Sequence, residues 1–282
     1  MKSAVTVCLV PEARQGPFVF HGATASEALD DGCHRAAAFG FDAVEVFPTG
    51  AEQLSDCGLA GRLATHGLAL AAVGSGAGWV RHKLSLTHHD PSIRAEARDF
   101  IELLVNAAAD HGAPVIIGSM QGRHEGDVSR ADALDFLAEA LHHLGHHASS
   151  RGQMLLYEPL NRYETNLFTS AGEAAAFLAG RGIHGVKLLC DLFHMNIEEA
   201  DLPAALHSCG ALVGHVHWAD SNRRAMGSGH TDPAAIGAAL RRIGFSGYLS
   251  AEVFPLPDAD TAARMTIKSI RALETLTPFS TP

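Results

Sequence analysis

One phrase recurs along this chain and limits what it can become: an Ala-rich helical segment, a glycine, then a short apolar run. It reads AAAFGFDAVEVF at 36–47, ATHGLALAAVG at 64–74, AADHGAPVIIG at 108–118 and RRIGFSGYLSAEVF at 241–254. A glycine just past a helix can take positive φ without strain, so the phrase describes a helix turning back into a strand. Read at this spacing, the strands are Ala4–Leu9, Ala43–Phe47, Ala69–Gly74, Pro114–Gly118, Met154–Glu158, Val186–Asp191, Leu212–His217 and Tyr248–Val253. The helical segments between them are Ser26–Phe39, Ala51–His66, Ser92–His111, Ser129–Ser150, Ser170–Arg181, Glu198–Ser208, Pro233–Ile243 and Asp258–Leu276. Their Ala- and Leu-rich amphipathic spacing argues helix.

Eight strand-then-helix units in 282 residues predict an α/β chain, a single (β/α)8 TIM barrel occupying 1–282. The rival is an open doubly wound sheet, which usually carries a GxGxxG turn after its first strand. Here the first strand runs into PEARQGPFVFHG, which lacks it. GSGAGW after the third strand has the wrong spacing and leads into a long loop. In the barrel, Ser75–Pro91 and Ser119–Val128 become the two longest loops of the active-site rim.

Charge and cysteine content narrow the function classes. A formal net charge of -10 without a basic stripe speaks against a nucleic-acid partner. No run approaches a membrane span, and Ala4 to Val10 is too short for a secretory h-region. Five cysteines at irregular spacing suit a reducing interior, so the expected setting is cytoplasmic. The 18 histidines include His142, His143, His146 and His147, read as solvated decoration on a helix flank.

The strand ends carry the chemistry. Glu158, Asp191, His217 and Glu252 close the last four strands, at steps of 33, 26 and 35 residues. Successive strand ends lie side by side on a barrel's C-terminal rim, so these four side chains would converge. Taken singly, Asp191 could cap a turn and His217 could be a core histidine. Two Glu, one Asp and one His form an oxygen-rich ligand set suited to Mn²⁺, Mg²⁺ or Co²⁺. Glu164, His194 and Arg223 sit a few residues further out on the loops, supplying an acceptor, a switchable donor and a forked donor for a polyol.

EPLNRYETN, CDLFHMNIEE, GHVHWADSNR, GSGHTD and SAEVF resemble the sugar isomerase/epimerase superfamily of xylose-isomerase-like TIM barrels. The pattern is most like the ketose 3-epimerases of the D-tagatose/D-psicose type, and it spans Leu155 to Phe254. The resemblance implies that Glu158 and Glu252 are both metal ligands and the acid/base pair, with Asp191 and His217 completing the coordination. It implies that Glu164, His194 and Arg223 hold the C1–C3 end of the sugar. The implied cofactor is a divalent metal, Mn²⁺ foremost, and the implied partner is a small sugar or keto-sugar. An oligomer, dimer or tetramer, follows by the same analogy.

The implied reaction is proton transfer through a metal-stabilised enediolate. The same residues would serve a lyase or dehydratase on a keto-inositol or 3-keto sugar, or a hydroxypyruvate-type aldose–ketose isomerase. That last family typically carries Gln where this chain has His217. A DNA-repair endonuclease of the superfamily would need more histidine ligands and a basic face.

The first and third strand-end loops depart from the epimerase pattern. There Trp79, His82, Lys83, Gln121 and Arg123 are candidate substrate contacts. Arg81, Lys83 and Arg123 could bind a phosphate or carboxylate, or simply face water, and Phe18 and Phe20 could wall the pocket or merely pack an N-terminal loop.

Overall fold

The computed structural model describes residues 1–275. Its strands are β1 Lys2–Cys8, β2 Phe20–His21, β3 Ala43–Phe47, β4 Ala69–Gly74, β5 Val115–Ile117, β6 Leu155–Tyr157, β7 Val186–Asp191, β8 Val213–His217 and β9 Tyr248–Ala251. Apart from β2, each pairs in parallel with the next, and β9 returns to β1, closing an eight-stranded barrel inside a layer of helices. β9 covers only Lys2–Val5 of β1, and the two-residue β2 pairs with Val7 and Cys8 further along. The eight strands expected from the sequence are these eight, three with the expected ends and five with ends shifted by at most two residues. The extra β2 was not anticipated.

The barrel closes because strand parity divides the apolar residues into two sets. One parity faces the helices and builds the main core, from Val5, Val7, Val44 and Val46 through to Leu249 and Ala251. The other fills the barrel interior with Cys8, Phe47, Ala72, Ile116, Leu156 and Leu189. Ala4, Ala43 and Ala71 pack with Tyr248 in a small cluster of their own. Glu45, Asp191, His215, His217 and Ser250 share the inward parity and are buried. A row of polar groups inside a barrel costs stability unless each finds a partner or a task.

Helix ends follow the local chemistry. The four glycines of the recurring phrase, Gly40, Gly67, Gly112 and Gly244, take φ of 85°, 66°, 69° and 70°. Thr24 and Glu27 form a reciprocal capping box at the start of Ala25–Phe39, and Ser129, Ser170 and Asp232 cap later helices. Each such cap contributes about 1 kcal/mol.

Three helical expectations change. Ala51–His66 is broken into Ala51–Asp56 and Leu59–His66, because Gly58 takes φ 63° and restarts the helix. Glu198–Ser208 becomes Leu202–Cys209, preceded by a separate helix, Leu192–Glu198, that starts directly off β7. The loop 75–91 contains a short helix, Ala77–His82. The last helix runs Ala259–Thr275, and the expected Leu276 lies outside the described residues.

The histidine flank has a packing role. Arg98–Glu139, Glu102–His143, Asn106–His147 and Asp110–Arg151 form four rungs between helices Pro91–Ala109 and Arg130–Ser150, one turn apart. His142 adds a contact to the Arg181 carbonyl. Exposed rungs of this kind are worth under about 1 kcal/mol each and set helix register more than stability. Among the described residues no helix is long and apolar enough to cross a membrane.

Candidate active site

Asp191 and His217 are the last residues of β7 and β8, and Glu158 and Glu252 directly follow β6 and β9. His217 Nδ1 stands 3.5 Å from Glu158 Oε1, 3.5 Å from Asp191 Oδ2 and 3.5 Å from Glu252 Oε2. One ligand atom from each of the four residues lies within 4.8 Å of the others, and all four residues are buried. Asp191 serves both of its readings. Oδ1 accepts from the Phe193 amide at 2.7 Å, capping the next helix, and Oδ2 points into the ring.

Burial with so much charge perturbs the ring. Burial works against ionising His217, but Glu252, Glu45, Asp191 and Glu158 hold its pKa well above the ordinary value. Burial raises Glu252 to about 7, helped by Glu158 and Asp191 and opposed by His217 and Arg223. Asp191 is held below the usual carboxylate range despite its burial, by His194, His217 and Arg223. Yet Glu158 Oε1, Asp191 Oδ2 and His217 Nδ1 are buried with no hydrogen-bond partner. Such atoms are rare in native proteins and need an explanation. Three carboxylates and one imidazole nitrogen aimed at a common point fit a divalent cation, which would take the place of the bound protons.

Behind His217 sits a residue the sequence reading passed over. Glu45, fully buried in the middle of β3, accepts from His217 Nε2 at 3.0 Å and stands 2.6 Å from His215 Nε2. Burial would raise its pKa, but His217 and His215 hold it well below the carboxylate range. An ionised Glu45 accepts the hydrogen bond from Nε2–H and so reserves Nδ1 for the ring, as a carboxylate behind a ligating histidine does.

Glu158 is placed by its surroundings. Gln121 Nε2 donates to the Glu158 and Gly118 carbonyls at 2.9 and 3.0 Å, while Oε1 accepts from Tyr157 Oη at 2.6 Å. A Cβ on Gly118 would lie 2.5 Å from Glu158 Oε2, so glycine is what leaves room for the carboxylate.

Glu164, His194 and Arg223 gather against this ring. Arg223 Nη2 donates to Glu252 Oε2 at 2.7 Å, and Nη1 lies 3.6 Å from Glu164 Oε1. Burial opposes the Arg223 charge, but Glu252, Asp191 and Glu164 raise its pKa further. Asn161 settles the His194 tautomer. Its Oδ1 accepts from the Tyr163 amide at 2.9 Å, so its Nδ2 faces His194 Nδ1 at 2.7 Å. Nδ1 is therefore the acceptor, and Nε2–H points toward Glu158 and Asp191 as a free donor.

Arg223 itself takes φ 58°, an uncommon conformation for a non-glycine residue. Asp220 holds that loop. Its Oδ1 accepts from the Ser221 and Thr231 amides and its Oδ2 from those of Gly227 and Gly229, at 2.7–3.1 Å.

The ring opens into a cavity of about 510 Å³, lined among others by Glu158, Glu164, His194, Arg223 and Glu252. Of the outlying candidates, Trp79, Arg123 and Phe18 line it. The others do not. Gln121 is fully buried behind Glu158. Arg81 pairs with Glu12 at 3.6 Å, Lys83 turns back onto the Val80 carbonyl, and His82 lies beside Phe100. Phe20 packs in the core beneath Arg35.

Residues 33–273 match the family described as "Xylose isomerase-like TIM barrel". The chain belongs to that family. It is 33% identical over 227 residues to a D-psicose 3-epimerase of Agrobacterium fabrum, covering 78% of this chain and 77% of that one. It is 30% identical over 241 residues to an L-ribulose 3-epimerase of Mesorhizobium japonicum, covering 84% and 79%. In fold it is similar to a D-allulose 3-epimerase of Methylomonas, with a TM-score of 0.83, 23% identity, and 97% and 98% of the two chains covered. These curated relatives are epimerases, and with the matching fold the chain is an enzyme of the isomerase class.

Sequence reasoning missed Glu45, Asn161 and Asp220 in this family member. Glu45 did leave a signal: it is an acid inside the apolar run AVEVF, two residues before Phe47 and so of the same parity. Asn161 and Asp220 lie inside the quoted motifs, but nothing in residue type separates a residue that orients a side chain from one that touches substrate.

Proposed function

We propose that this enzyme is a divalent-metal-dependent ketose 3-epimerase. The observation that carries the reading is the convergence of Glu158 and Glu252, two buried glutamates that line the cavity, with Asp191 and His217. The names of the relatives support C3 as the centre inverted. Glu158, Asp191, His217 and Glu252 would hold the metal, with Mn²⁺ preferred over Mg²⁺ or Co²⁺. The bound ion would supply a Lewis acid for the C2 carbonyl and so acidify the adjacent C3–H.

The protein's own groups do the rest. One of Glu158 and Glu252 removes the C3 proton, and the other returns a proton to the opposite face. His194 Nε2–H and the Arg223 guanidinium meet the negative charge that moves onto the C2 oxygen, and Glu164 accepts from the sugar hydroxyls. Burial keeps water from competing for the carbanion. A reducing cytoplasmic setting suits five cysteines that are all buried and unpaired. By resemblance the working unit is a dimer or tetramer.

The test is carbon-bound proton exchange in D₂O, with Mn²⁺-loaded protein and a panel of ketoses. Exchange at C3 with inversion is expected. Exchange at C1 would point to aldose–ketose isomerisation, and loss of water to a lyase. Glu158→Gln and Glu252→Gln should each lower the exchange rate by about 10²–10⁴, and stripping the metal should abolish it. Full exchange in both variants would end the two-glutamate reading.

A further inference from the structure

The cavity is larger and more apolar than a free ketose requires. A ketohexose has twelve non-hydrogen atoms and fills roughly 180 Å³ at about 15 Å³ per atom, half the liquid-volume share of a water molecule. More than half of the 510 Å³ is left over. Beyond the ligand ring the lining includes the apolar Val10, Phe18, Phe47, Ala77 and Ile116, alongside Thr87, His88 and His89. Phe18 and Phe47 pack ring against ring at 4.5 Å between centroids.

The mouth continues the same character. Among the described residues five large apolar side chains are exposed, and three of them, Trp79 (37%), Val80 (38%) and Tyr163 (76%), line this one cavity. Exposed apolar side chains gathered at one opening mark a binding surface, whereas scattered ones mean nothing.

The polar groups at this end are largely spoken for. Ser75 Oγ donates to the Ile116 carbonyl at 2.6 Å, and Thr87 Oγ1 donates to the carbonyls of Gln121 and Arg123. The basic side chains near the mouth are mostly engaged: Arg81 pairs with Glu12, Lys83 bonds the Val80 carbonyl with its ammonium 5.5 Å over the Trp79 ring, His88 Nδ1 accepts from the Asp90 amide, and Arg123 shares the lining with Glu125.

We propose that the substrate is a ketose carrying an uncharged, ring-bearing substituent at its end remote from the carbonyl, with that ring held between Phe18 and Trp79. The inference rests on the sugar reading of the site, and it deepens that reading by naming a substrate class.

Three probes test it on the Mn²⁺-loaded protein: D-fructose, 6-O-benzyl-D-fructose and D-fructose 6-phosphate. Binding is followed by fluorescence. The chain has two tryptophans and Trp218 is fully buried, so the signal of a ligand in this cavity comes from Trp79. The benzyl ether should bind at least about tenfold more tightly than D-fructose, since a buried phenyl ring removes ample apolar area from water. It should also show the higher kcat/KM for exchange. Trp79→Ala and Phe18→Ala should each cut the benzyl-to-parent ratio of exchange kcat/KM severalfold.

Equal affinity for the benzyl ether and the parent sugar overturns the inference, and so does tighter binding of the phosphate. A ratio unmoved by both variants overturns it too, as would Trp79→Ala splitting an oligomer in sedimentation without changing that ratio. If no probe exchanges protons, the epimerase proposal fails, and the binding measurements still decide the subsite on their own.

Discussion

Replacing Glu45 with Gln alters no atom of the ligand ring, yet it should weaken the metal. The side chain is fully buried and divides its oxygens between His217, at 3.0 Å, and His215, at 2.6 Å. Glutamine has the same shape but only one acceptor oxygen. If that oxygen faces His217, the amide N–H₂ is pressed toward His215. If the amide flips, His217 loses the acceptor that fixes its tautomer. In both cases the negative charge that makes the His217 imidazole a better ligand is gone. Loss of such a partner typically costs 10–100-fold in metal affinity, or about 1.4–2.8 kcal/mol. Titration of the metal-free variant with Mn²⁺, following free Mn²⁺ by electron paramagnetic resonance, measures this directly. Circular dichroism establishes that the barrel is intact. Glu45→Ala should lose at least as much affinity, and also about 1–3 kcal/mol of stability from the buried His217 Nε2–H left without an acceptor. A folded Glu45→Gln protein whose Mn²⁺ affinity lies within twofold of wild type would refute the argument, and would make Glu45 a barrel-filling residue only.

Two further substitutions probe the supports of the ring. Asp220→Asn puts an N–H₂ group against two of the four backbone N–H donors that the carboxylate now satisfies, so the Arg223 loop should loosen and KM for the sugar should rise. At neutral pH the variant should lose about 1–3 kcal/mol of stability. Burial would raise the Asp220 pKa, but the amides of Thr231, Gly229, Ser221 and Gly227 hold it below its ordinary 3.8. A depressed carboxylate contributes stability that is complete above the unfolded value and fades as pH falls through the folded one. The gap in melting temperature between wild type and Asp220→Asn should therefore be constant from pH 7 to about 5 and close below about pH 4; a gap that widens in acid would contradict the cage. Gly118→Ala brings a methyl group to 2.5 Å from Glu158 Oε2; that oxygen is the movable end of its side chain, so the carboxylate should shift at little cost in stability, lowering both Mn²⁺ affinity and exchange rate. Unchanged exchange would mean that Glu158 has room to spare.

What could be read from the sequence, and what could not, divides along the reach of the physics involved. A glycine at the end of a helix acts within a few residues, so the phrase around Gly40, Gly67, Gly112 and Gly244 carries the strand order in the sequence itself. Barrel closure then turns that order into neighbourhood, which is why Glu158, Asp191, His217 and Glu252 could be placed together from spacing alone. The break at Gly58 was hidden because the apolar periodicity of Ala51–His66 runs through it, and only the backbone angle of 63° separates the two helices. The orientation of the loop residues Gln121, Lys83 and Arg81 stays open in the sequence for a related reason. A loop has no period, so neither residue type nor position says whether a side chain turns to the cavity or away. Glu45 is the instructive case, because its parity was readable: β3 pairs Glu45 with Thr6 and with Ala72, and all three face inward. An acid at such a position has no water to face. It must meet a cation, a proton donor or a second buried dipole, and the strand-end histidine His217, with His215 of the same parity behind it, is the partner that the barrel supplies. Inward acids at mid-strand deserve the same weight as acids at strand ends when a barrel site is sought from sequence, since they reveal which ligand is being oriented.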